Sequence, residues 1–153
     1  MLNNEGAVVA FDRATGARTV LAQSGVVDLV RDKGRTIALK SIDENTRLAL
    51  VDIDTGQPVA APIDHAGAAS LLAIPSGWIV IAKDAAFRQQ GAGWTQTPLI
   101  DEARHFGVIV STATADGSIY IGYNQGEWGG GLWRIAPGDD VVQEITRIDG
   151  DEV

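Results

Sequence analysis

The sequence predicts an all-β fold assembled from short strands that recur with a period near forty residues. Three observations carry this expectation. Gly25, Gly67 and Gly107 each open a unit, and Gly34, Gly77 and Gly117 follow nine or ten residues later. Thr-Gly turns at Gly16 and Gly56 lie 40 apart, and Gly138 lies 82 beyond Gly56, or two further periods. Between these turns stand short apolar runs of strand rather than helix length.

The elements follow in order. Gly6–Asp12 and Arg18–Ala22 read as two strands around a turn at 13–16. Gly25–Val30, a turn at 32–34 and Arg35–Lys40 come next. A polar connection, Ser41–Asn45, leads to Thr46–Ile53, a turn at Asp54-Thr-Gly56 and a short outer strand, Pro58–Ala61. Arg35–Thr55 holds no Gly or Pro, and Ser41–Ile53 is long enough for a helix. Strands are preferred because the segment aligns with the strand-turn copies on either side. The next unit runs Ala68–Ile74, turn Pro75-Ser-Gly77 and Trp78–Ala82. A long connection, Lys83–Gly93, follows with one helical turn at Asp84–Gln89, then a weak strand, Trp94–Thr97, with Pro98–Ile100 outside it. The last unit runs Val108–Thr112, turn Ala115-Asp-Gly117, a strand through Ile119, Ile121 and Tyr123, a loop Asn124–Gly130, and Leu132–Ile135. Gly126, Gly129, Gly130 and Gly131 crowd six positions in and just after this loop, and each glycine inside a regular element costs about 0.5–1 kcal/mol relative to alanine. Pro137-Gly-Asp139 turns the chain into an outer strand, Val141–Ile145, and the acidic tail Arg147–Val153 frays.

Four short strands per forty residues are the signature of propeller blades. The chain divides into a half blade at 6–22 and full blades at about 25–63, 67–100 and 107–146, roughly fourteen strands in a single partial-propeller domain. Phe11-Asp-Arg-Ala-Thr-Gly16 and Val51-Asp-Ile-Asp-Thr-Gly56 resemble the strand-turn hairpin of quinoprotein-like and YVTN-like bacterial β-propellers. Gly117-Ser-Ile-Tyr-Ile-Gly122 resembles their inner hairpin. The resemblance implies architecture. Propellers of this type include sugar-lactone hydrolases, lyases, quinoprotein dehydrogenases and binding scaffolds, and no catalytic motif of any of them matches here. No Trp-Asp dipeptide marks the blade ends, which sets the chain apart from WD40 propellers.

Composition narrows the function classes. The 153 residues suit one domain, and a hydrophobic content of 45% argues against disorder. A net charge of −8 argues against a nucleic-acid partner, which wants clustered Lys and Arg. Zero cysteines exclude disulfides, thiolate catalysis and cysteine metal sites. No signal peptide and no long apolar run are seen, so the expectation is a cytoplasmic protein off the membrane.

In propeller blades the connections between second and third strands share a face with those between blades. On this reading Ser41–Asn45, Lys83–Gly93 and Asn124–Gly130 gather with Gln23-Ser24, Asp64–Gly67 and Asp101–Gly107 around a channel mouth. Asn124, Glu127, Trp128 and Arg88 are the ligand-binding candidates. Trp128 can stack on a sugar or an aromatic ligand, or it packs between blades. His65 and His105, 40 apart in His-x-Gly triplets, are metal candidates with Glu102, or repeated structural positions. Trp78, Trp94 and Trp133 are read as packing residues. Gly-x-Ser-x-Gly, Walker A, EF-hand and His-Glu-x-x-His motifs are all missing. The expected function is a non-catalytic ligand- or protein-binding module without a cofactor. The alternative is a lactonase-like hydrolase or lyase using a divalent metal at the channel mouth. Three and a half blades fall short of a ring, so either the chain was cut from a longer propeller or two copies form a homodimer, with Gly6–Ala22 covering the partner near Val141–Ile145.

Overall fold

The structure is a computed structural model, and it describes residues 6–22, 24–43, 46–66, 69–82, 84–99, 108–124, 129–139 and 141–149. Every regular element among them is a β-strand. Among the described residues thirteen strands form four antiparallel sheets, each with its strands in chain order. The chain divides into two compact units, Met1–Leu71 and Leu72–Val153.

The first unit holds a two-stranded sheet, β1 (Val8–Phe11) and β2 (Arg18–Ala22). It also holds a three-stranded sheet, β3 (Val26–Asp32), β4 (Arg35–Ile42) and β5 (Arg47–Asp52). Ser41–Ile53 is therefore strand, turn and strand rather than helix. Val8 and Ala22 pack with Val26, Leu29, Ala38 and Ile53. Asp28 ties the unit together: its carboxylate accepts the N–H of Leu29 at 2.8 Å and of Leu71 at 2.7 Å.

Two turns in this unit are copies bond for bond. Asp12 Oδ1 accepts the N–H groups of Ala14 and Thr15, the Gly16 N–H donates to the Asp12 carbonyl, and the Thr15 hydroxyl accepts from Ala17 N–H. Forty residues on, Asp52 Oδ1 accepts Asp54 and Thr55, Gly56 donates to the Asp52 carbonyl, and the Thr55 hydroxyl accepts from Gln57 N–H. Gly16 and Gly56 share a φ of 71°, a conformation that favours glycine. The sequence motif is thus a device for satisfying the backbone of a tight turn with one carboxylate and one hydroxyl.

After the second turn the expected outer strand Pro58–Ala61 is not continuous. Only two isolated bridges form, Val51↔Pro58 and Leu48↔Ile63. Five residues of the outer segment span three of β5, and Pro58 and Pro62 have no N–H to donate, so no ladder can run through them.

The second unit is built from β6 (Ala69–Ile74, which begins in the first unit), β7 (Gly77–Ala82), β8 (Ala85–Gln90) and β9 (Gly93–Pro98), and from β10 (Val108–Ala113), β11 (Ile119–Asn124), β12 (Gly129–Ile135) and β13 (Gln143–Asp149). Ile74, Ile79, Ile81, Ala86 and Leu99 from the first sheet and its exit meet Ile119, Ile121, Trp133, Ile135 and Val142 in one apolar core.

Four expectations are corrected here. Lys83–Gly93 is not a long connection with a helical turn. Ala85–Gln90 is a full strand, because Ala85, Ala86 and Phe87 are buried and β9 supplies a six-pair ladder to it. Pro98, expected outside the strand, closes β9, and Leu99 just beyond it is buried in the core. Gly129 and Gly130, expected in the loop, lie in β12 together with Gly131; the three pair with Asp149, Ile148 and Arg147 of β13 and, for Gly130 and Gly131, with Asn124 and Tyr123 of β11. The reason is close approach: a Cβ at Gly131 would run into the ring of Trp133, which lies over that backbone and is 1% exposed. The last strand is displaced from Val141–Ile145 to Gln143–Asp149, with a bulge opposite Leu132 and Trp133.

Two stability outcomes follow. Asp52 is 5% exposed whereas Asp12 is exposed, so Asp52→Ala should destabilise by about 1–3 kcal/mol and Asp12→Ala by about 1 kcal/mol or less. Urea midpoints compare the two, and equal losses would contradict the burial argument. Gly131→Ala should cost about 1–3 kcal/mol by displacing Trp133, visible as a lower midpoint and altered tryptophan fluorescence. An unchanged midpoint would show that the ring has room to move.

Candidate ligand-binding groove

The β8–β9 hairpin positions the site. Side chains two apart on a strand share a face, and Ala86 belongs to the core. Arg88, two residues on, therefore faces the β10–β13 sheet where the apolar layer gives out. Its Nη1 donates to the Gly117 carbonyl at 3.0 Å. Gly117 has a φ of 87°, and a Cβ there would come 3.3 Å from Nη1. Glycine thus meets two demands, the turn and the guanidinium. Arg88 Nη2 is buried and meets no hydrogen-bond partner among the described residues.

The turn that Arg88 grips is itself a charged knot. The Asp116 carboxylate accepts the Thr114 hydroxyl, the Ser118 N–H at 3.0 Å and the Ser118 hydroxyl at 3.1 Å. Arg134 Nη2 donates to the Ser118 hydroxyl oxygen at 3.1 Å. These bonds, the Thr114 hydroxyl foremost, hold the Asp116 carboxyl below its ordinary value.

Beside this knot a groove of about 440 Å³ is lined by Arg88, Gln89, Gln90, Thr95, Gln96, Thr97, Gly138 and Asp139. Gln89 is held by its own bonds, Oε1 accepting Trp78 N–H and Nε2 donating to the Gly91 carbonyl. The Thr95 hydroxyl donates to the Arg88 carbonyl at 3.2 Å. Gly138, with a φ of 80°, and Asp139 enter from the β12–β13 turn. The lining is amide, hydroxyl, one guanidinium and one carboxylate. Among the described residues it holds no Ser, His, Cys or Lys.

The sequence candidates divide. Arg88 lines the groove, but from a strand rather than from a loop. Asn124 ends β11, exposed and paired in register with Gly130. Glu127, Trp128, Glu102 and His105 lie outside the described residues. His65 lies in the first unit, half-buried, its N–H donating to the Ile63 carbonyl. The neighbouring Asp64 carboxylate is taken by Arg47 Nε at 2.7 Å, and Arg47 also bonds Asp43. Among the described residues no three His, Asp or Glu side chains gather as a metal site. Gln89, Gln90, Thr95, Gln96 and Thr97 escaped sequence reasoning. Their signal was the pair of polar runs on either side of Gly91-Ala-Gly93, which reads as a hairpin once Ala85–Phe87 is taken as buried strand.

A depressed carboxyl stabilises the fold above the pKa it has in the unfolded chain, and that contribution is lost as pH falls through its folded-state value. Asp116→Asn should lower stability at neutral pH and flatten the loss of stability below about pH 4. Urea titrations across that range read it, and an acid limb identical to that of the parent chain would exclude Asp116 as a contributor.

No known protein-family model and no curated protein matches the chain.

Proposed function

We propose that the chain is a non-catalytic binding module built from β-propeller blades, that it self-associates as a homodimer in the cytoplasm, and that its groove takes a hydroxyl-rich polar ligand of the carbohydrate class. The observation that carries the ligand reading is the lining of the groove: Gln90, Gln96 and Thr97 bring two amides and a hydroxyl to a site that also holds Arg88 and Asp139. A sugar hydroxyl both donates and accepts, as do a glutamine amide and a threonine hydroxyl, so each such pair can be satisfied in either direction. The blade reading is supported by the meandering antiparallel sheets and by the duplicated Asp12 and Asp52 turns. Among the described residues no helix is long and apolar enough to cross a membrane.

The test is calorimetric titration with glucose, galactose, maltose and lactose. At least one should bind in the millimolar range, at about 4 kcal/mol of binding free energy. Gln96→Ala/Thr97→Val should weaken that binding about tenfold or more while leaving the melting temperature within a few degrees. Silence across the panel, or binding that survives the double substitution, would remove the carbohydrate reading.

A further inference from the structure

Arg88 is the one guanidinium among the residues lining the groove. It is half-buried and fixed, with Nη1 on the Gly117 carbonyl at 3.0 Å. A guanidinium carries five N–H donors and no acceptor. Gly117 takes one of them, and the buried Nη2 meets no hydrogen-bond partner among the described residues. Its charge is unanswered as well. Arg35 lies beside Asp52, Arg47 binds Asp43 and Asp64, and Arg134 shares the Ser118 hydroxyl with the Asp116 carboxylate. Among the described residues no carboxylate pairs with Arg88. A cation drawn partly out of water without a counter-ion is costly. An anion that reaches it therefore gains more than one meeting an exposed arginine such as Arg13 or Arg31.

Polar side chains stand around it in register. Thr95 lies directly across the β8–β9 ladder from Arg88, and Gln90 and Thr97 belong to the same face of that hairpin. The Thr95 hydroxyl donates to the Arg88 carbonyl, which leaves its oxygen as an acceptor. Asp139, exposed at the β12–β13 turn, accepts only. The groove thus sets a cation among groups that suit hydroxyls.

We propose that the ligand is a sugar acid, its carboxylate on the Arg88 guanidinium and its hydroxyls on Gln90, Gln96, Thr97 and Asp139. This deepens the carbohydrate reading of the groove and rests on it. The two oxygens of a carboxylate match two N–H groups of a guanidinium in parallel, and such charged bonds are roughly twice as strong as neutral ones. Nη2 has no surface open to water, so the acid seats fully only after a side chain gives way. The exposed Gln90, two residues along the same face, is placed to do so. A carboxylate is favoured over a phosphate because a single guanidinium answers a single negative charge. A phosphate monoester brings about −1.5 to −2 at neutral pH, beside Asp139 and in a chain whose net charge is −8.

Calorimetric titration of the full chain tests this, with glucuronate and galacturonate set against glucose, galactose and the neutral amide glucuronamide. The acids should bind about tenfold more tightly than their parent sugars, and glucuronamide no better than glucose. Arg88→Gln should erase the difference between each acid and its parent sugar. If Arg88→Gln fails to fold without its bond to Gly117, Arg88→Lys takes its place. Lysine keeps the charge but loses the planar fork, so the preference for the acid should shrink. Acids that bind no better than their parent sugars overturn the proposal and leave the carbohydrate reading standing. A preference that survives Arg88→Gln undiminished also overturns it. Acetate that binds as tightly as glucuronate sinks the carbohydrate reading and the proposal with it, because the hydroxyls then contribute nothing. Glucose 6-phosphate that binds more tightly than glucuronate overturns the choice of a carboxylate.

Discussion

The apolar layer between the β6–β9 and β10–β13 sheets sets the register from which the rest of the second unit follows. Ile79 and Ile81 on β7, Ile119 and Ile121 on β11, and Trp133 and Ile135 on β12 must all point into it. Each fully buried side chain of this size contributes about 1.5–3 kcal/mol, and a slip of one residue would turn a whole strand's share outward. Register in turn decides where polar groups go. Ala86 lies in the layer, so Arg88 is carried to its edge and meets the Gly117 carbonyl there. The groove is what remains where the core ends and the strands continue.

Glycine serves two separate ends in this packing. At Gly117 the backbone turns with positive φ, and the missing side chain leaves room for the Arg88 guanidinium. At Gly131 nothing turns. The glycine sits in a regular strand because the ring of Trp133 fills the space a Cβ would need. The propensity penalty that argued for a loop there is real, but it is offset by the burial of Trp133, one of the largest side chains in the core.

The carboxylates of the sheets and turns follow the same logic of local satisfaction. Asp28 and Asp52 are held by backbone N–H groups, and Asp116 combines backbone and hydroxyl donors. A carboxylate bound in this way stabilises a turn or links two strands without needing a cation. This also explains why an acidic chain tolerates carboxylates so close to its core. The Arg35–Asp52 pair, at 3.8 Å with an exposed arginine, adds little to the bonds Asp52 already accepts.

What the sequence by itself determined is the all-β class and the position of its turns. The Asp-x-x-Thr-Gly copies and the glycines at 34, 77 and 117 are legible because a turn is a local object: its φ values and its Asx and Thr bonds are made within four or five residues. The same is true of Ser41–Ile53, where flanking copies correctly favoured strands. What only the tertiary structure decided is which polar segments are strands and which faces are covered. Arg88-Gln-Gln90 has no alternation to betray it as β8; it is a strand because β7 and β9 flank it. Pro58–Ala61 has β-branched and apolar character, yet it fails as a strand because its register against β5 is broken. The groove residues come from a hairpin and from a turn forty residues further along the chain, so no spacing in the sequence could assemble them. Ladder pairing and sheet packing join residues far apart in the chain, and that is the physical reason the turns were readable and the site was not.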